Sequence, residues 1–284
     1  MDSQFDLAAD AIVTGDSEAL ESLLLVNPEL VRERSARPHR STLLHYVAAN
    51  GVEAVRQKSP KNAVDIAKIL LNAGAEVDAM ADLYGGSTTL GLVATSIHPK
   101  RAGVQIPLLA TLLDYGAAVD GAPGERRPLI AALHNGHPEA ADFLAERGAR
   151  LDLEGAAGLG RLDLVESFFN GAESLKANAT KEQMESGFLC GCEYGRLAVV
   201  DYLLSKGVDP NTAGNTGLTG LHWAVVGGHL ETIKLLLERG ASLQAKNKYG
   251  GTVLGQARWS ATNGSPDVDY VGIINMLIGV GAKG

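Results

Sequence analysis

The chain has 284 residues, a formal net charge of −8, 45% hydrophobic residues, 5% aromatics and 34 glycines. The hydrophobic share excludes a disordered chain, and the acid excess argues against a nucleic-acid duplex as partner, because its phosphates call for a basic face. Few aromatics and many glycines point away from a large aromatic core and toward close-packed helices that end at glycine.

Residues 1–36 read as two short helices, and the acidic start from Met1 to Asp6 has no signal-peptide profile. Arg32, Arg34, Arg37 and Arg40 cluster near the end of this segment, interspersed with Glu29 and Glu33, and read as a solvated loop. A two-part pattern then recurs. Its first part is a short helix led by a threonine or an equivalent residue. The copies are Thr42-Leu43-Leu44-His45-Tyr46-Val47-Ala48, Thr89-Leu90-Gly91-Leu92-Val93-Ala94, Arg127-Pro128-Leu129-Ile130-Ala131-Ala132, Thr219-Gly220-Leu221-His222-Trp223-Ala224 and Thr252-Val253-Leu254-Gly255-Gln256-Ala257. Its second part is a leucine-rich helix that stops at Gly74, Gly116, Gly148, Gly207, Gly240 or Gly281. A threonine hydroxyl can bond the backbone at a helix start, and glycine enters the left-handed region after a helix end without steric penalty.

Gly207 and Gly240 lie 33 residues apart, whereas Gly74 to Gly116 is 42 and Gly240 to Gly281 is 41. The excess falls in residues 52–62, 98–104 and 262–269, which read as edge loops able to carry function. Gly148 to Gly171 is only 23 residues, so Leu151 to Ala157 should run from a turn directly into a helix.

The 33-residue spacing and Thr219-Gly220-Leu221-His222-Trp223-Ala224 resemble the ankyrin-repeat family, whose motif is Thr-Pro-Leu-His-x-Ala. The likeness is to the ankyrin-repeat proteins of bacteria. It implies an all-α solenoid of about eight helix pairs with short β-hairpin or turn fingers. The whole chain, 1–284, would then be one array, with caps at 1–36 and 246–284 around central repeats at 37–245. It further implies a cytoplasmic protein-binding module that uses its concave face and fingers, without cofactor, metal, nucleic acid or membrane.

Registering the first helices on one another places Tyr46, Asn50, His134, Asn135, Glu193, Tyr194, Trp223 and Trp259 toward the concave side. With Tyr84 on a finger they form the expected partner-binding set. Gly155 and Gly158 sit between the larger groups and suggest a central notch, where aromatics would serve as anchors. The alternative use of that notch, near Gly155, Gly158, Glu193, Tyr194 and His134, is to hold a small molecule or peptide, or to perform acid–base chemistry. His45 and His222 occupy the motif histidine, and His137 and His229 follow a glycine at a helix start, so all four read as structural. No metal-ligand spacing, nucleophile elbow or phosphate loop is present. Cys190 and Cys192 read as reduced, structural thiols.

Overall fold

The computed structural model describes residues 3–171 and 174–283. The chain divides into two compact units, Met1–Arg150 and Leu151–Gly284. Both are mostly helical.

The first unit opens with α1 (Gln4–Thr14) and α2 (Ser17–Val26). The Ser3 hydroxyl accepts the Asp6 amide to start α1. Gly15, at φ 79°, ends it by returning its N–H to Ala11 and Ile12, and Asp16 then caps α2. There follow α3 (Leu43–Tyr46), α4 (Ala63–Asn72), α5 (Thr89–Ala94), α6 (Ile97–Ala102), α7 (Gln105–Asp114), α8 (Pro128–His134) and α9 (Pro138–Glu146). The helices pair as α1 with α2, α3 with α4, α5 with α7 and α8 with α9. First helices stack in the order α1, α3, α5, α8, and second helices in the order α2, α4, α7, α9. Between these layers lie Ile66, Leu70, Leu108, Leu112 and Leu144, all fully buried. Each contributes about 1.5–3 kcal/mol by leaving water.

Two readings of this half change. Residues 98–104 are mostly helix, within α6, because Ile97 to Ala102 complete a turn that ends at Gly103 in the left-handed region. Thr88, not Thr89, caps α5, and its hydroxyl accepts the Gly91 amide. The arginine cluster lies at the surface as expected, with Arg32, Arg34 and Arg40 exposed, and two of its members also make contacts within the unit. Arg34 donates to the carbonyls of Arg40 and Met80, and Arg37 pairs with Asp6 at 2.7 Å and Glu53 at 2.5 Å. The insertion at 52–62 joins the same network. Its single turn of 3-10 helix buries Arg56, which pairs with Asp6 and Asp10 and so ties the insertion to α1.

The second unit holds α10 (Leu153–Gly158), α11 (Leu162–Ser167), α12 (Lys181–Glu193), α13 (Leu197–Ser205), α14 (Gly220–Gly227), α15 (Leu230–Glu238), α16 (Val253–Asn263) and α17 (Tyr270–Gly279). Helices α10, α12, α14 and α16 form one row, and each packs on its successor in sequence to make a pair. As the short spacing requires, Asp152 caps α10 directly by accepting the Gly155 amide. A short antiparallel ladder of β1 (Phe169–Asn170) and β2 (Ser174–Leu175) follows α11. The expected fingers are single bridges, Ala213 with Thr219 and Lys246 with Thr252, matching Ala81 with Ser87 in the first unit.

Gly187 of α12 lets that helix approach α10 closely. A Cβ at Gly187 would lie 2.8 Å from the Ala157 Cβ and 3.3 Å from the Glu154 Cα. Gly155 and Gly158 are both buried. The two glycines expected to open a notch are therefore not open positions on an exposed face.

Candidate functional site

In the first unit a cleft of about 320 Å³ lies between the finger at 81–87, the turn before α8, and the helices α5 and α8. Asn50, Tyr84 and Asn135, three of the residues expected at the binding face, line it together with Thr95, Glu125 and Arg126. Three residues of the expected set thus converge on one concavity.

Asn50 organises the cleft floor. Its amide nitrogen donates to the Leu92 carbonyl at 3.1 Å and the Thr95 hydroxyl at 3.0 Å, and its carbonyl oxygen accepts the Tyr84 hydroxyl at 3.0 Å. That last bond holds Tyr84 over the opening while its side chain stays 74% exposed. Tyr84 also adopts φ 52°, a left-handed conformation that a bulky residue rarely takes. Gly85 and Gly86, at φ 90° and 112°, complete the turn in conformations suited to glycine.

Glu125 builds the opposite wall. One carboxylate oxygen accepts the Thr88 amide at 2.8 Å and the Thr88 hydroxyl at 3.2 Å, and the other accepts the Ala122 amide at 3.1 Å. This replaces a feature of the neighbouring motif. In α3 the His45 Nδ1 accepts the Thr42 amide and pairs with its hydroxyl, and in α14 His222 does the same for Thr219. Gly91 stands at the histidine position of α5, and a Cβ there would collide with the Glu125 carboxylate. Glu125 and Arg126 were absent from the expected set. The signal that could have found Glu125 is the glycine at a motif histidine, which leaves the threonine amide in want of another acceptor.

The remaining expected residues lie outside the cleft. Tyr46 is fully buried, packed edge-on against Phe5 at 5.9 Å, with its hydroxyl on Glu53 at 3.1 Å. Its expected place on a solvated face is corrected, because Phe5 of α1 closes over the ring and Glu53 takes its hydroxyl. His134 is exposed at the end of α8. In the second unit, Glu193 and Tyr194 are half-buried at the end of α12, Trp223 packs partly buried against the core, and Trp259 is 59% exposed on α16.

The four histidines read as structural are used structurally. Burial lowers the His45 pKa to about 4, and it also lowers those of His137, His222 and His229. His137 meets the Gln105 side chain, and His229 meets the Glu193 carbonyl. Burial pushes the Cys190 and Cys192 thiols far up, so neither supplies a thiolate nucleophile.

Threonine-capped helix pairs, a buried motif histidine and bridge-like fingers define a helix-pair repeat scaffold. Residues 153–247 match the family model for ankyrin repeats in 3 copies, so this stretch carries ankyrin repeats. Among curated proteins, the chain is 26% identical over 202 residues to the Caenorhabditis elegans "Ankyrin repeat and KH domain-containing protein mask-1", covering 68% of this chain and 7% of that one. It is 29% identical over 243 residues to the rice "Probable E3 ubiquitin-protein ligase XBOS32", covering 84% of this chain and 39% of that one. The chain thus spans well under half the length of these relatives, and the activities in their names belong to those proteins. Among solved structures, the human ASB11 ankyrin repeat domain is similar at 21% identity and a TM-score of 0.47, covering 95% of this chain and 96% of that one. The narrower likeness to bacterial members finds no support, since the nematode and rice relatives are eukaryotic. No helix among the described residues is long and apolar enough to cross a membrane.

Proposed function

We propose that this protein is a binding module that takes up an extended segment of a protein partner in the cleft between Asn50, Tyr84, Thr95 and Asn135. The observation that carries this reading is Tyr84, a large aromatic held exposed over a concavity by a hydrogen bond and an uncommon backbone conformation. Strained backbone of this kind concentrates at ligand clamps, and tyrosine and arginine are enriched among the residues that dominate interface energy. The cleft walls come from fingers and first helices of successive pairs, where the repeat resemblance expects binding. About eight such pairs would make up the repeat array.

The test uses random peptides displayed on phage and selected on the full chain, then synthesised and titrated against purified protein. A Tyr84→Ala, Asn50→Ala double variant should weaken the selected peptides by at least about tenfold, the loss expected when an aromatic anchor is truncated. Peptides that bind wild type and variant equally would refute the reading.

A further inference from the structure

We infer that the segment bound in this cleft presents a carboxylate to Arg126, so that the site selects acidic peptides. The inference rests on the peptide-binding reading above and adds the chemistry of the partner.

The charged residues lining the cleft are Glu125 and Arg126. Their situations differ. Both Glu125 oxygens are engaged by the Thr88 and Ala122 backbone amides, with the Thr88 hydroxyl in addition. Arg126 is exposed and has no hydrogen bond or ion pair among the described residues. Its neighbours are occupied differently: Arg127 donates to the Arg150 carbonyl at 2.8 Å, and Arg147 pairs with Asp114 at 2.6 Å. The neutral amide donors of the cleft are more heavily used. The Asn50 amide is used by Leu92 and Thr95, and the Asn135 amide donates to the Ala131 carbonyl at 2.8 Å.

Foremost among what the cleft offers a ligand is therefore one cationic fork, its N–H donors unspent among the described residues, beside one exposed aromatic surface. A guanidinium matches a carboxylate bidentately, which favours Arg126 over a spherical cation as a carboxylate reader. Three of the roughly four acceptor sites of Glu125 are taken by Thr88 and Ala122, so Arg126 has the larger unspent hydrogen-bonding capacity of the two. Charge complementarity thus favours an acidic residue placed near an apolar one. The carboxylate can come from an Asp or Glu side chain or from a peptide C-terminus, and the two sources are separable by synthesis.

Peptides from the selection above supply the probes. Their pools should be enriched in Asp and Glu, or share a required free C-terminus. Replacing the shared acid by its amide should weaken binding to wild type by about two- to fivefold, the upper part of the range for a single exposed ion pair. For a terminal carboxylate, C-terminal amidation should cause that loss instead. Arg126→Gln should produce the same loss with the acidic peptide and no further loss with the amide peptide. Arg126→Glu should shift a fresh selection toward Lys and Arg. Raising salt from 50 to 500 mM should weaken the acidic peptide more than its amide counterpart. Peptides that require Tyr84 but show no acid preference, and bind Arg126→Gln with unchanged Kd, would overturn this inference and leave the peptide-binding reading standing. Peptides indifferent to Tyr84 and Asn50 would overturn both.

Discussion

Glu125 and Gly91 form a pair whose coupling can be measured. Thr88 is fully buried, so its amide must find an acceptor inside the protein, and the Glu125 carboxylate is that acceptor. Glu125→Ala leaves the amide unsatisfied and should destabilise the protein by about 1–3 kcal/mol. In α3 and α14 the same amide is satisfied by an imidazole three residues on. Gly91 is helical with an ordinary φ, so a histidine there is conformationally allowed, and its ring would occupy the space of the carboxylate. In a Gly91→His background the threonine amide should turn to the imidazole. Glu125→Ala should then cost less than about 0.5 kcal/mol, the level expected for a surface substitution. Urea unfolding followed by circular dichroism gives the four corners of the cycle, and hydrogen exchange at the Thr88 amide reports the local bond. Protection of that amide should fall in Glu125→Ala and return in the double variant. An equal cost of Glu125→Ala in both backgrounds, with Thr88 protection unchanged, would refute the claim that glutamate replaces histidine.

Gly187→Ala should destabilise the second unit by about 1–3 kcal/mol through overpacking against Ala157, read as a lower urea midpoint, whereas Glu185→Ala on the same helix should change it little. Tyr84→Ala should leave the unfolding midpoint within about 0.5 kcal/mol of wild type, because the side chain is 74% exposed. A larger shift would make Tyr84 a structural rather than a binding residue. Stability should fall on acidification in two stages. Burial holds His45 at about 4, below its ordinary 6.5, so the neutral ring stabilises the fold above about 6.5, and this contribution is lost as pH falls through 4. Burial of Asp6 opposes its ionisation, but hydrogen bonds from Ser3, Arg37 and Arg56 outweigh that and hold it at about 2, below the ordinary 3.8. Its contribution is present above about 3.8 and lost as pH falls through 2. Arg56→Met should flatten the lower stage, and an unchanged acid limb would remove Asp6 from the account.

The sequence by itself determined the scaffold. Leucine-rich helix ends closed by glycine, threonine at helix starts, and His45 and His222 in a fixed relation to Thr42 and Thr219 depend on neighbours within a few residues, so local spacing reports them. The direct entry into α10 after Leu151 followed for the same reason, from too few residues to form a finger. Which side chains face solvent was decided by tertiary packing. Tyr46 and Trp223 share a motif position, yet Tyr46 is closed over by Phe5 and bonded to Glu53 while Trp223 is only partly covered. Gly158 looked like open space in the sequence and is buried, because a missing side chain makes either a hole or a covered position and only packing decides which. The acceptor for Thr88 lies 37 residues away on the following turn, beyond any local pattern. Arg34, Arg37 and Arg56 were likewise drawn into internal contacts with partners distant in sequence, while Arg126 has none among the described residues. Charge in a sequence fixes the number of ionic groups, and only the folded chain decides which remain unspent for a ligand.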